Sequence, residues 1–206
     1  MEIVKRSLVV IICLCAPLLM SAQTLGIDEK AFSSSYTLET TGDYAKAILA
    51  IKEINATESY EYNLRLGWLN YLAKDYVSSK AHYEKCIQQM PYSIEAKFGL
   101  VYPLAALNSW DLVIAQYQNI LKIDAQNTTA NYRLGLIYYN RKNYVESISY
   151  FEKVVNLFPF DYESSLMLGW SKLLSGKSNE AKLLFKKSLL IRPGDTSANE
   201  GLAKIK

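Results

Sequence analysis

The chain has 206 residues, half of them hydrophobic, and sets 23 Lys and Arg against 20 Asp and Glu for a formal net charge of +3. Charges so evenly balanced and scattered read as a solvated surface, and they argue against nucleic acid, whose phosphates call for a clearly basic face. One His and three Cys leave little material for a metal or thiol centre, and no cofactor is expected.

The N-terminus answers to targeting rather than folding. Lys5 and Arg6 precede an apolar run from Ser7 to Met20, and Met20-Ser21-Ala22 places small residues before Gln23. This is the layout of a secretory signal cleaved after Ala22, covering residues 1–22. The run falls short of the roughly 20 residues a spanning helix needs, and Pro17 interrupts it. Retention as an N-terminal membrane anchor is the alternative; Cys13 and Cys15 lack the preceding small-residue pattern of a lipidated cysteine. No second run of membrane length follows, so no membrane span is expected after cleavage. Cys86 would then be the sole remaining cysteine, and packing rather than a disulfide must hold the fold. The short signal and scarce cysteine point to export, with the bacterial periplasm as first destination and secretion as second.

Downstream, the chain repeats itself every 34 residues. Leu66-Gly67 returns as Leu134-Gly135 and Leu168-Gly169. Lys74-Asp75-Tyr76, Asn108-Ser109-Trp110, Lys142-Asn143-Tyr144 and Gly176-Lys177-Ser178 hold one register. Tyr83, Tyr117, Phe151 and Phe185 hold another, as do Cys86, Ile120, Val154 and Ser188; Pro91, Pro159 and Pro193 close three of the units. Within a unit, Leu134, Ile137 and Tyr138, then Ile148, Phe151, Val154 and Val155, follow helical spacing on either side of the polar Lys142-Asn143. Each unit is therefore predicted to be helix, short turn, helix. In chain order the units are 28–59, 60–93, 94–127, 128–161 and 162–195. The first is degenerate, with Gly42-Asp43-Tyr44 set back by 32 and two residues lost from its terminal turn. Residues 196–206, with Ala198, Leu202 and Ile205 apolar, close the series as a capping helix. A glycine in a first helix costs up to about 1 kcal/mol of helix propensity, so its return at one register implies that the partner helix passes too close for a side chain. Pro103 falls within the first helix of 94–127 and should kink it.

Leu-Gly followed by aromatic, Ala, aromatic and Pro at this period resembles the tetratricopeptide repeat, most fully in 128–161 and 162–195. In 94–127, Val101 stands for the glycine and Ala125 for the proline. The resemblance implies an all-α fold, a right-handed α-solenoid of stacked helix-turn-helix repeats, forming one domain over 23–206 with a concave side that suits elongated partners. It also implies that places two, five, nine, twelve and thirteen of each unit line that groove. Place five holds Phe32, Leu64, Phe98, Tyr132 and Leu166; place nine holds Tyr36, Trp68, Tyr102, Leu136 and Trp170; place twelve adds Tyr71 and Tyr139. The candidate peptide-binding residues are accordingly Phe32, Tyr36, Trp68, Tyr71, Phe98, Tyr102, Tyr132, Tyr139 and Trp170. Tyr and Trp combine large contact area with few rotors and a polar tip, which favours recognition of extended segments. The competing reading of the same stripe is packing between adjacent first helices.

A known variant of this groove clamps a peptide carboxylate with Lys, Asn and Arg. Only Arg65 and Arg133 offer positive charge here, solvated or paired with Glu61 and Glu95, so that chemistry is not expected. His82 has no partners at metal-ligand spacing, and Cys86 fits a buried structural role. No phosphate loop, nucleophile elbow or inward carboxylate pair appears, so no catalytic residues are assigned. Asn55 and Asn127 open Asn-x-Thr triplets that matter only in a eukaryote. The leading expectation is a non-enzymatic interaction scaffold in an exported setting, holding a protein or peptide in an aromatic groove. A structural spacer or self-associating subunit is the alternative, with a glycan-binding solenoid behind it.

Overall fold

The computed structural model describes residues 28–54 and 59–205. The signal segment, Asn55 and Lys206 lie outside the described residues. Those described form eleven α-helices and no strand. The first, α1, spans 28–40. It is followed by α2 (Tyr44–Lys52), α3 (Tyr60–Leu72), α4 (Tyr76–Gln89), α5 (Ile94–Ala106), α6 (Trp110–Ile123), α7 (Thr128–Asn140), α8 (Tyr144–Leu157), α9 (Tyr162–Leu174), α10 (Ser178–Ile191) and α11 (Thr196–Ala203). From α3 onward the first helices begin at 60, 94, 128, 162 and 196, and the second helices at 76, 110, 144 and 178, a step of 34 throughout. The 32-residue offset of the first unit is reproduced, since α2 begins at Tyr44, and its shortening falls on a second helix of 9 residues where the others have 14.

Local chemistry sets these boundaries. Ser59, Ser93, Asn127, Asp161 and Asp195 precede the first helices and the capping helix, and each side chain accepts the amide N–H three residues on. Such a cap satisfies a donor that the helix itself leaves orphaned. Asn127 is committed to this task, its Oδ1 taking the Ala130 amide and its Nδ2 donating to Asp124. First helices end differently. Gly42, Lys74, Asn108, Lys142 and Gly176 all adopt positive φ at one register. In α3 the amide of Lys74 donates to the Tyr71 carbonyl and that of Asp75 to the Asn70 carbonyl, and α7 and α9 end in the same pair of bonds. This left-handed turn folds the chain back sharply. Pro91, Pro159 and Pro193 follow directly on the C-caps of α4, α8 and α10, where no further helical bond is needed. The helix α5 continues through Pro103 to Ala106 with the same 13 residues as α3, α7 and α9.

Contacts divide the chain into two compact units, one ending at Leu107 and one beginning at Asn108. In the first, successive helices from α2 to α5 pack in order and α3 also meets α5; in the second, α6 to α11 do the same, with α7 meeting α9 and α9 meeting α11.

The core of both units is organised by rings set against glycines. A Cβ on Gly67 would lie 2.9 Å from the Tyr83 ring, and one on Gly99 only 2.1 Å from the same ring. Phe185 is held likewise between Gly169 and Gly201, at 3.0 and 2.4 Å, and Phe151 against Gly135 at 2.7 Å. The second helices come close enough for the Ser79 and Ser147 hydroxyls to donate to the Gly67 and Gly135 carbonyls at 2.7 and 2.9 Å. Around this contact Leu66, Leu134 and Leu168 are buried, as are Cys86, Ile120, Val154 and Ser188.

Phe151 is fully buried and cannot swing aside. Gly135→Ala is therefore expected to destabilise the chain by about 1–3 kcal/mol in urea unfolding, and Phe151→Leu in the same chain to recover part of the loss. Lys142→Gly, at φ 59°, should instead raise stability by about 0.5–1 kcal/mol, because glycine takes the left-handed region without a Cβ penalty.

Candidate functional site

In the first unit the first helices α1, α3 and α5 turn aromatic side chains into an open cavity of about 1130 Å³. Five of the nine candidate residues line it, namely Phe32, Tyr36, Trp68, Phe98 and Tyr102. Tyr71 joins them through its rings, 5.6 Å from Trp68 and 5.4 Å from Tyr102. Tyr36 and Tyr102 remain 54% and 49% exposed, so about half of each ring's surface is unused by the fold. Phe32 is more deeply engaged, standing edge-on to Tyr62.

A polar network fixes the wall of this cavity. Glu39 of α1 accepts from Trp68 Nε1 at 2.8 Å through one carboxylate oxygen and from Arg65 Nη1 through the other. Arg65 Nε donates to Ser35 Oγ at 2.9 Å, and the guanidinium lies 3.9 Å from the centre of the Tyr36 ring. Arg65 is thus buried and paired with Glu39 rather than solvated or bound to Glu61 or Glu95. Its Nη2 has no acceptor among the described residues. Glu61 and Glu95 contribute carboxylates to the cavity lining from the first turns of α3 and α5.

The three candidates in the second unit have separate settings. Trp170 packs on Phe185 with ring centres 5.2 Å apart, and its indole N–H donates to Ser197 on the capping helix at 2.9 Å. Tyr132 stands against Phe151 and borders a smaller pocket of about 430 Å³ with Arg133, Asp161 and Glu163. Tyr139 packs on Tyr144. Burial raises the phenol pKa of both Tyr132 and Tyr139. Lys172, also buried there, bridges Glu152 at 2.8 Å and Glu180.

Of the remaining reactive groups, the Cys86 thiol is pushed up to about 12 by burial, which leaves it protonated and inert at neutral pH. No cluster of His, Cys, Asp or Glu among the described residues has the geometry to hold a metal ion, and no helix among them is long and apolar enough to cross a membrane.

Reasoning from sequence overlooked Glu39, although it occupies place twelve, the place that supplies Tyr71 and Tyr139. Glu61 and Glu95, at place two, were read only as partners for Arg65 and Arg133 and not as lining residues.

Residues 128–161 match the family model of the tetratricopeptide repeat. No curated protein matches the chain in sequence. Among solved structures, the crystal structure of MamA protein aligns with a TM-score of 0.69 at 21% identity, over 87% of this chain and 96% of that one. A tetratricopeptide repeat protein from Parabacteroides merdae ATCC 43184 aligns with a TM-score of 0.73 at 18% identity, over 87% of this chain and 72% of that one. YrrB, described as a TPR protein with an unusual peptide-binding site, aligns with a TM-score of 0.65 at 16% identity, over 82% and 89%. At these identities the likeness is one of fold: the chain is built as a tetratricopeptide-repeat α-solenoid.

Removing Glu39 would leave the buried Arg65 charge uncompensated. Glu39→Ala is expected to cost about 3–5 kcal/mol in denaturant unfolding, whereas the paired replacement Glu39→Leu/Arg65→Met costs clearly less, since no lone charge remains.

His82, the single histidine, sits half-buried with Nδ1 2.9 Å from Asn63 Oδ1. Burial, followed by the charges of Lys85 and Lys52, lowers its pKa from the ordinary 6.5, against an opposing pull from Asp75. The unfolded chain therefore binds this proton more readily. Stability is full above the unfolded value and falls as pH drops from there toward the folded value. Denaturation midpoints should be lower at about pH 5 than at about pH 7.5, and His82→Gln should shrink that difference.

Proposed function

We propose that this chain, built on the tetratricopeptide-repeat fold, is a non-enzymatic interaction module that holds an extended protein segment in the aromatic cavity of its first unit. The observation that carries this reading is the cavity itself. It offers about 1130 Å³ and rings that the fold leaves half uncovered, a larger space than the roughly 300–1000 Å³ of a small-molecule pocket. Stacked helical repeats present surfaces of this kind to protein partners, and the large, stiff rings of Tyr and Trp are the side chains most often responsible for interface energy. The setting we assign is an exported one, in the periplasm or outside the cell, on the strength of the basic, apolar and small-residue stretches that end at Ala22.

Affinity capture from the native source, with the wild-type chain beside a Trp68→Ala/Tyr102→Ala variant, tests the module. A partner held by the first and weakened at least about tenfold in the second supports the reading, since truncation of central aromatic anchors commonly costs more than 1.4 kcal/mol. Circular dichroism and urea melting must show the variant folded; if it unfolds, the rings serve packing. Equal capture by both chains moves the binding surface elsewhere. N-terminal sequencing of the native protein checks the compartment, with Gln23 the expected first residue.

A further inference from the structure

We infer that the first-unit cavity selects a positively charged segment, taking a Lys or Arg side chain of the bound peptide against its aromatic faces and pairing it with Glu61 and Glu95. This deepens the proposed function and rests on it. The charge of the lining has the opposite sign to that of the whole chain, which is +3. Glu39, Glu61 and Glu95 stand there against Arg65, and Arg65 is already neutralised by Glu39. Glu61 and Glu95 form no ion pair among the described residues. Glu163, at the same place in α9, shows the alternative, since Arg192 lies 3.4 Å from it. A carboxylate in a first turn is favoured by the helix dipole wherever that turn points. Here two of them flank a concave surface of low polarity, where their field is focused on an incoming cation.

The aromatic walls suit the same ligand. Tyr and Trp faces attract ammonium and guanidinium groups, and the chain already satisfies such faces from within: Arg65 lies 3.9 Å from the Tyr36 ring centre and Arg192 3.7 Å from that of Tyr162. The buried Nη2 of Arg65 adds a second requirement. It is a donor without an acceptor, on a side chain only 6% exposed, in the cavity wall beneath the half-exposed Tyr36 ring. A main-chain carbonyl of the segment, admitted past that ring, would satisfy it without adding negative charge. A carboxylate at the same point would meet Glu39, Glu61 and Glu95. The recognised feature is thus an internal basic stretch, not an acidic tail or a free C-terminus.

The test is an array of random heptapeptides, acetylated and amidated at their ends, probed with the full chain, a Glu61→Gln/Glu95→Gln variant and the Trp68→Ala/Tyr102→Ala variant. Peptides with Lys or Arg should bind the wild-type chain about tenfold more tightly than neutral ones of equal apolar content, and raising salt from about 0.05 to 0.5 M should erode that advantage. The Glu61→Gln/Glu95→Gln variant should lose the preference and keep its affinity for neutral peptides. Neutral or acidic peptides binding as tightly, or a preference unchanged in that variant, overturns the inference; if those peptides are still lost with Trp68→Ala/Tyr102→Ala, the peptide-binding reading stands without it. No peptide bound by the wild-type chain, or binding indifferent to Trp68→Ala/Tyr102→Ala, overturns both.

Discussion

The rest of this structure depends on one steric bargain, a ring on a second helix occupying the space that a missing Cβ leaves on a first helix. Tyr83 sits between Gly67 and Gly99, and Phe185 between Gly169 and Gly201. Such a contact lets backbones approach to hydrogen-bonding distance of a serine hydroxyl, and it ties the first helices of successive repeats to the same ring. The close packing it gives is unforgiving of added volume. A glycine inside a helix weakens that helix in isolation; the buried ring, with its large apolar area, outweighs the deficit once the pair has formed.

The site follows from this arrangement. Tyr83, the ring that joins α3 to α5 through Gly67 and Gly99, is itself part of the cavity lining, together with Gly99. Trp68 shows how this surface is held without being buried. Its indole N–H is fixed by Glu39, whose other oxygen holds Arg65, and the ring itself stacks on Tyr71. Rings fixed in this way lose little further rotamer freedom when a partner arrives, and such preorganisation favours affinity.

Much of the architecture was legible in the sequence because it is periodic. Helix starts, left-handed turns and buried registers fall where the 34-residue step puts them, and the shortened first unit is visible in the 32-residue spacing of Asp43 and Asp75. The N-caps were equally regular but went unread, since Ser, Asn and Asp differ in name while sharing one acceptor role. Site residues were less legible. Trp68 and Trp170 hold the same place in their units, yet one lines an open cavity and the other is pinned to Phe185 and Ser197. Period alone cannot separate them, because the difference lies in what packs beside each: α11 offers the Ser197 hydroxyl at the place where α5 carries Glu95. Arg65 shows a related limit. Its pairing with Glu39 is a contact across 26 positions, outside the local spacing that suggested Glu61.

Each capped start, from Ser59 to Asp195, stands one full step from the next. A stretch of that length therefore brings its own beginning, its own reversal and half of each contact with its neighbours. Between equivalent boundaries it is the natural quantum of gain or loss for this chain: recombination in whole steps rejoins an acceptor to a waiting helix, whereas a fractional insertion shifts every ring past its glycine at once. Lineages descended from this sequence should vary in the number of repeats far more readily than in their length.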